Sequence, residues 1–206
     1  GLVANKDAGM DFVWENDKKE DEAGRLKVGG NVRYRHSSTD QLSTTNSESF
    51  LTSGANSSFS NRMNRSKSGN TNVNSNFRLE WSPDTMTRIM FRPNFSFSQN
   101  YSDGQSSSVT FNDNPYTRGM TDPLSQYRDY VSDSIVVNDN RRWSHSDGQS
   151  YSVDGMLMVN RRLNSKGRNL TLRMRGGYSD SDNKSFNISD VNYFLQRKRT
   201  FLYAPI

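Results

Sequence analysis

From Arg25 to Arg35 the chain alternates with a period of two. Leu26, Val28, Gly30, Val32 and Tyr34 fall on one side, and Arg25, Lys27, Gly29, Asn31, Arg33 and Arg35 on the other. Successive side chains of an extended strand point to opposite faces, so this spacing predicts a β-strand with one apolar or small face and one basic, polar face. The partition returns at Thr71–Trp81, where Val73, Ser75, Phe77, Leu79 and Trp81 oppose Asn72, Asn74, Asn76, Arg78 and Glu80. After the turn signal Ser82-Pro83-Asp84-Thr85 it resumes: Thr87, Ile89, Phe91, Pro93, Phe95 and Phe97 oppose Arg88, Met90, Arg92, Asn94 and Ser96. Pro93 lacks an N–H and predicts a bulge or a local edge. A second hairpin runs from Tyr151 through Asn164-Ser165-Lys166-Gly167 to Ser179. In its return arm Leu170, Leu172, Met174, Gly176 and Tyr178 oppose Thr171, Arg173, Arg175 and Gly177. Met10, Phe12 and Trp14 open a third hairpin. The expectation is an all-β chain: an antiparallel up-and-down meander of about six long strands, most of about ten residues.

The connections sharpen this. Those at 16–24, 82–85 and 164–167 are short, whereas those at about 37–70 and 102–147 are long and rich in Ser, Asn, Asp and Gly. Short and long alternate, so each kind gathers at its own end of the meander. That is the pattern of an outer-membrane barrel, with short periplasmic turns and long extracellular loops. Arms of about ten residues match the ~9–11 that cross a bilayer at a tilt. Tyr34, Tyr101, Tyr151 and Tyr178 stand at the long-loop ends of their strands, and Trp14 and Trp81 at the short-turn ends, as two aromatic girdles do. The opposite face carries Arg33, Arg35, Arg78, Arg88, Arg92, Arg173 and Arg175, with Arg25 and Lys27. Such a face suits a wet lumen or a polar plug, not a sandwich core. The competing reading is a soluble β-protein with a solvated basic face.

Composition narrows the classes. With 31 Ser and 23 Asn in 206 residues and a mean hydropathy of -0.94, the chain resembles a disordered one, yet 11% of it is aromatic. The longest apolar runs, such as Met156–Val159, are four residues, too short for a transmembrane helix of ~20. No cysteine is present, which removes disulfides and thiolate sites. His36 and His145 are far apart, so no histidine metal cluster is expected. Gly1 opens the chain with no apolar leader after it, which predicts either a processed protein or an internal piece of a longer one.

Several runs carry a resemblance. They are Glu48–Ser53, Phe77-Arg78-Leu79-Glu80-Trp81-Ser82-Pro83-Asp84, Ile89–Ser96, Asp133–Asn138, Asn160-Arg161-Arg162-Leu163-Asn164 and Lys166–Leu172. In their order and spacing, over about residues 9–195, they resemble the barrel of Bacteroidetes outer-membrane proteins of the TonB-dependent-receptor type. The resemblance implies a large barrel in the cell outer membrane, a plug domain, a TonB system as partner, and ligand uptake through the outer loops. The chain departs from that pattern: it has no plug and no TonB-box-like segment, and about six strands where such transporters have about 22. The expectation is therefore a barrel fragment, residues 1–206, whose end at Phe201–Ile206 stops inside another long loop.

No enzyme chemistry emerges, and neither cofactor nor metal is expected. Gly29-Gly30 and Gly176-Gly177 lie within alternating strands and form no phosphate loop. Ser179-Asp180-Ser181-Asp182-Asn183 lacks the glycine and terminal Glu of a calcium loop and reads as a solvated loop past a strand end. Ser-Asp-Gly-Gln-Ser occurs at 102–106 and at 146–150, which predicts two similar turns at a loop base. A pI of ≈ 9.5 raises nucleic acid as a partner. However, the aromatics lie on the face opposite the arginines, where they build no stacking platform with them. Two functional readings remain beside that one: a ligand-uptake barrel, and a non-transporting, adhesin-like surface protein that binds a partner through the same loops.

Overall fold

Alternating segments become strands throughout the computed structural model, which describes residues 1–19, 22–49, 58–164 and 167–194. They are β1 (Leu2–Glu15), β2 (Arg25–Ser49), β3 (Ser58–Asp84), β4 (Thr87–Phe111), β5 (Val136–Arg162) and β6 (Asn169–Tyr193). All lie in one sheet, in the order β1-β2-β3-β4-β5-β6, with every neighbouring pair antiparallel. The chain is thus the all-β, up-and-down, six-stranded meander that its alternation predicts. The sheet is not closed: β1 and β6 are its two edges.

The strands are much longer than ten residues. Five of the six hold 25 residues or more on the described chain, and β3 and β5 hold 27 each. Most of the expected loops at 37–70 and 102–147 are therefore strand. The first narrows to residues 50–57, which lie outside the described residues, and the second to 112–135. Beyond Tyr34 and Phe97 both faces are polar, so period two persists without hydrophobic contrast and sequence alternation cannot mark it. What carries these extensions is the backbone ladder and its polar cross-strand pairs, such as Ser106 Oγ donating to Asn64 Oδ1 at 2.6 Å. The two Ser-Asp-Gly-Gln-Ser runs are not turns. They lie on β4 and β5 and face each other, with Ser102 opposite Ser146 and Asp103 opposite His145. Ser179–Asn183 is likewise inside β6.

Pro93 produces no bulge. The β3–β4 ladder is interrupted at Phe77–Arg78 and Arg92–Pro93, but it resumes in the same register, and Pro93 keeps its place opposite Gly155 on β5. The missing N–H is confined to one side of one strand. The turn at 82–85 shifts to Thr85-Met86, because Ser82 and Pro83 still belong to β3. Asp84 closes it by accepting from Met86 N at 2.7 Å and Thr87 Oγ1 at 3.0 Å. In the 16–24 connection Asn16 bonds Gly24 O and the Leu26 N–H, and Gly24 takes φ +80, a conformation glycine adopts without a Cβ clash. Of the 164–167 turn, Ser165 and Lys166 lie outside the described residues, as does Phe201–Ile206.

Among the described residues the hydrophobic core sits at the end remote from the short turns. There residues 112–135 fold back with a short helix α1 (Pro123–Gln126) and one 3₁₀ turn (Tyr127–Tyr130). Val109, Phe111, Met120, Tyr127, Ile135 and Val136 are buried together, with Phe59, Leu124 and Val131 against them. Elsewhere the described chain is a single layer, with no second sheet or helix over it.

Gly30 shows how tightly neighbouring strands approach within that layer. A Cβ there would sit 2.6 Å from Phe77 Cδ1 and 2.9 Å from the backbone oxygen of Asn76, whereas at Gly176 nothing lies within 4 Å. Gly30→Ala is expected to cost about 1–3 kcal/mol through overpacking, and Gly176→Ala about 0.5 kcal/mol or less. Denaturant titration of the two purified variants measures the difference; equal costs contradict the register.

Candidate lipid-contact band and polar groove

Register turns six sequences into two surfaces. Residues opposite one another share a face, so Trp14, Val28, Leu79, Phe91, Leu157 and Met174 form one row across all six strands. Leu26, Trp81, Ile89, Val159 and Leu172 form the next row toward the short turns on that face, and beyond it Thr87, Arg161 and Leu170 stand opposite one another. Farther from the turns come Met10, Val32, Ser75, Phe95, Val153 and Tyr178, then Ala8, Tyr34, Val73, Phe97 and Tyr151. The next row, Lys6, His36, Thr71, Gln99, Gln149 and Asp182, is polar throughout. The apolar rows therefore form a band nine residues long on β2 to β5 and seven on β1 and β6, where Asp180 stands opposite Tyr151. At ~3.4 Å per residue and a tilt of ~35–45° the longer arms of the band are roughly 20–25 Å tall. Its side chains are not covered: Trp14 is 55% exposed, Leu172 53% and Met174 50%.

The six girdle residues all fall on this face. Trp14 and Trp81 occupy the two wholly apolar rows nearest the short turns. Tyr34 and Tyr151 share the last apolar row, Tyr178 stands one row below it and Tyr101 two rows above. The four tyrosines thus spread over several rows and do not form a single ring. Tyr101 lies across Gly69, where any Cβ would meet its ring. Tyr151 and Tyr178 stack with ring centroids 6.1 Å apart.

The other face is concave. Residues from all six strands converge on a cavity of about 1080 Å³ that includes Lys27, Arg78, Arg92 and Arg175 among its lining, with Asp11, Glu80, Asn94 and Asp154. Of the seven arginines expected here, the cavity gathers Arg78, Arg92 and Arg175. Arg33 and Arg35 stand farther along β2, Arg88 lies opposite Asn160, and Arg173 leans on Met158 Sδ at 3.8 Å. The face is less cationic than its arginines alone indicate. Arg25 and Lys27 share Glu15, Arg33 pairs with Asp11 at 3.1 Å, Arg35 with Asp7 at 2.7 Å, and Arg78 with Glu80. Arg92 Nε is buried in the wall without a hydrogen-bond partner. Between and above the charges the face is a field of amides and hydroxyls, with Asn76 donating to Asn31 Oδ1 at 3.1 Å and Asn94 to Asp154 Oδ1 at 3.0 Å. Phe12 and Phe77 also reach the cavity, beside Gly30.

Sequence reasoning missed these carboxylate partners, although the signal was present. Folding β1 back on β2 around residues 16–24 sets Glu15 opposite Lys27 and Asp7 opposite Arg35. It also missed the order within 112–135, where the spacing of Met120, Tyr127 and Ile135 follows neither period. There Asp139, opposite Val109, accepts from Tyr127 Oη at 2.5 Å and from Asn192 Nδ2 at 2.8 Å, while Asn61 donates to Tyr116 Oη at 2.8 Å. Among the described residues no three His, Cys, Asp or Glu side chains group as metal ligands. No protein-family model matches the chain, and no curated protein matches it.

The folded-back segment is tied by two carboxylates. Burial pushes Asp139 up, but the Tyr127 and Asn192 hydrogen bonds outweigh it and leave the group below its usual value. The Arg118 guanidinium and the Asn114 N–H hold Asp113 low as well. Both groups therefore stabilise the fold fully above their unfolded value of about 4, and that contribution is lost as pH falls through the lower folded values. Hydrogen exchange at 112–135 is expected to stay slow from pH 7 to about 4 once corrected for intrinsic rates, and to accelerate below that. Phe111→Ala should open the same segment at neutral pH, at a cost of about 3–5 kcal/mol.

Proposed function

We propose that this sheet is part of the wall of an outer-membrane β-barrel of the TonB-dependent-receptor type known from Bacteroidetes, and that it serves ligand uptake or surface binding through its outer end. The observation that carries the reading is the uncovered apolar band. Soluble monomers rarely leave apolar patches beyond a few hundred Å² exposed. Here a bilayer-high band runs across six strands, bounded by tryptophans at the short-turn end and tyrosines at the other. In this reading the band meets lipid, and the concave face with Arg33, Arg35, Arg78, Arg88, Arg92, Arg173 and Arg175 looks into a wet lumen or onto a plug domain. Further strands continue the ladder at β1 and β6, because an unpaired edge is not tolerated in hydrocarbon. The roles of a TonB system and of a plug rest on the sequence resemblance alone.

The strands that rise past the band and the ordered segment 112–135 also suit a non-transporting surface protein that binds a partner. Energised uptake separates the two: it requires the TonB system, whereas surface binding persists without it. Nucleic-acid binding is disfavoured by the pairing of the basic face with its own carboxylates.

Two outcomes test the reading. Antibody to the chain should recover the native protein in the outer-membrane fraction; recovery in the soluble fraction alone contradicts the proposal. Within the band, Leu172→Arg should destabilise the assembled barrel by about 2–4 kcal/mol, while Thr171→Arg, on the opposite face beside Asn160, should cost much less. Equal costs by denaturant titration in detergent or lipid overturn the face assignment.

A further inference from the structure

Charge is unevenly shared across the concave face. Within the height of the apolar band, β1 to β3 match Lys27, Arg33 and Arg78 with Glu15, Asp11 and Glu80. On β4 to β6 the same face and height carry Arg92, Arg173 and Arg175. The one carboxylate there is Asp154, which accepts from Asn94 Nδ2 at 3.0 Å. Among the described residues neither Arg92 nor Arg175 has a carboxylate within ion-pair distance. Arg175 stands on an edge strand, but both neighbours of Arg92 are in place. On β5 Met156 lies opposite it, and where the β3–β4 ladder is interrupted the continuing register sets Arg78 beside it, like charge against like charge. Its Nε is buried without a hydrogen-bond partner. Arg92, Met156 and Arg175 form one row on the lining of the cavity of about 1080 Å³.

The approach to that row is neutral. From Asn74 to Ser66 on β3, and at the positions opposite on β4, β5 and β6, every residue of the concave face is Ser, Asn or Gly. In the barrel reading this stretch lines the outer part of the lumen, and no charge in it holds or repels a solute. The row of Arg92 lies below it, between the Leu79 and Phe77 rows of the other face and so near mid-height of the band. Hydrocarbon behind the wall focuses the field of the unmatched cations into the groove. A buried guanidinium N–H without an acceptor is costly, and a charge-assisted hydrogen bond to an anionic oxygen offsets that cost. We infer that Arg92, with Arg175, receives the carboxylate or phosphate group of a small anionic solute that enters from the outer end, and that this row is where the barrel discriminates by charge. The inference rests on the barrel reading above and names the class of its ligand.

The test titrates the full-length protein, purified from outer membranes in detergent, with inorganic phosphate and with succinate by calorimetry at low ionic strength. Glucose is the neutral comparison. Saturable binding of an anion is expected, weakening as salt is raised, with none of glucose. Arg92→Gln should weaken that binding about tenfold, the scale of one lost charge-assisted hydrogen bond. It should do so without lowering the melting temperature, because it also relieves the contact of like charges with Arg78. Arg175→Gln should weaken binding in the same direction. Arg33→Gln should leave it unchanged, since Asp11 already holds that guanidinium. Absence of saturable anion binding overturns the inference, as does equal binding of glucose or equal weakening by Arg33→Gln. A fall in the melting temperature of Arg92→Gln also overturns it, by showing a carboxylate of the protein's own chain seated on Arg92 in place of a solute. A protein that fractionates with the outer membrane and binds neither anion loses this inference alone; one found only in the soluble fraction loses the barrel reading with it.

Discussion

The antiparallel backbone ladder is the constraint on which the rest of the molecule depends. From β2 to β6 it holds one register over twenty or more residues per pair, with only local irregularities at Trp81/Asp84 and Thr110/Phe111. Because side chains alternate with period two, a slip of one residue in any pair would carry leucines and phenylalanines to the arginine face and arginines to the apolar one. The short turns guard against that slip, Asp84 by bonding across its own turn and Asn16 by bridging Gly24 and Leu26. The polar upper strands depend on the ladder even more. There Ser, Thr and Asn on both faces contribute little burial, and the backbone hydrogen bonds with pairs such as Ser106–Asn64 set the geometry.

A ladder in a single layer leaves two demands unmet within the described chain. One is a medium for the apolar face, which no other element covers. The other is a partner for the free backbone groups of β1 and β6, every residue of which is exposed. A bilayer and a continued barrel wall answer both demands together. The concave face then accounts for the charge: in a water-filled interior, ion pairs such as Arg33–Asp11 and Arg35–Asp7 avoid the cost of burial that a sandwich core would impose. The folded-back segment 112–135 is the exception that carries its own apolar core, and it sits where the strands have left the apolar band behind.

The meander and its two faces were legible in the sequence because Leu, Val and Phe contrast with Arg and Asn at every second position. The same alternation set all six girdle aromatics on one surface. Strand length was not legible. Past Tyr34 and Phe97 the contrast vanishes, and a Ser/Asn-rich strand reads like a Ser/Asn-rich loop. The basic face was half legible: Arg78, Arg92 and Arg175 meet in the groove as alternation predicts, but the carboxylates that neutralise Arg33 and Arg35 come from β1, across a turn whose register decides the pairing. The cluster around Phe111 and Tyr127 was not legible, since its residues assemble from a strand end, a helical turn and a loop with no common period.

The central claim is that one face of each strand, and only within the apolar band, meets lipid. These 206 residues contain no cysteine, so single-cysteine spin labels can be placed at each position from Leu170 to Ser181 with no competing thiol in this part of the protein. Accessibility to oxygen and to a water-soluble nickel chelate in the membrane-embedded full-length protein reads the environment of each label. The account predicts oxygen maxima at Leu172, Met174, Gly176 and Tyr178, minima at Arg173, Arg175 and Gly177, and loss of the alternation from Asp180 on. High nickel accessibility at every position, or maxima on the arginine positions, would contradict it.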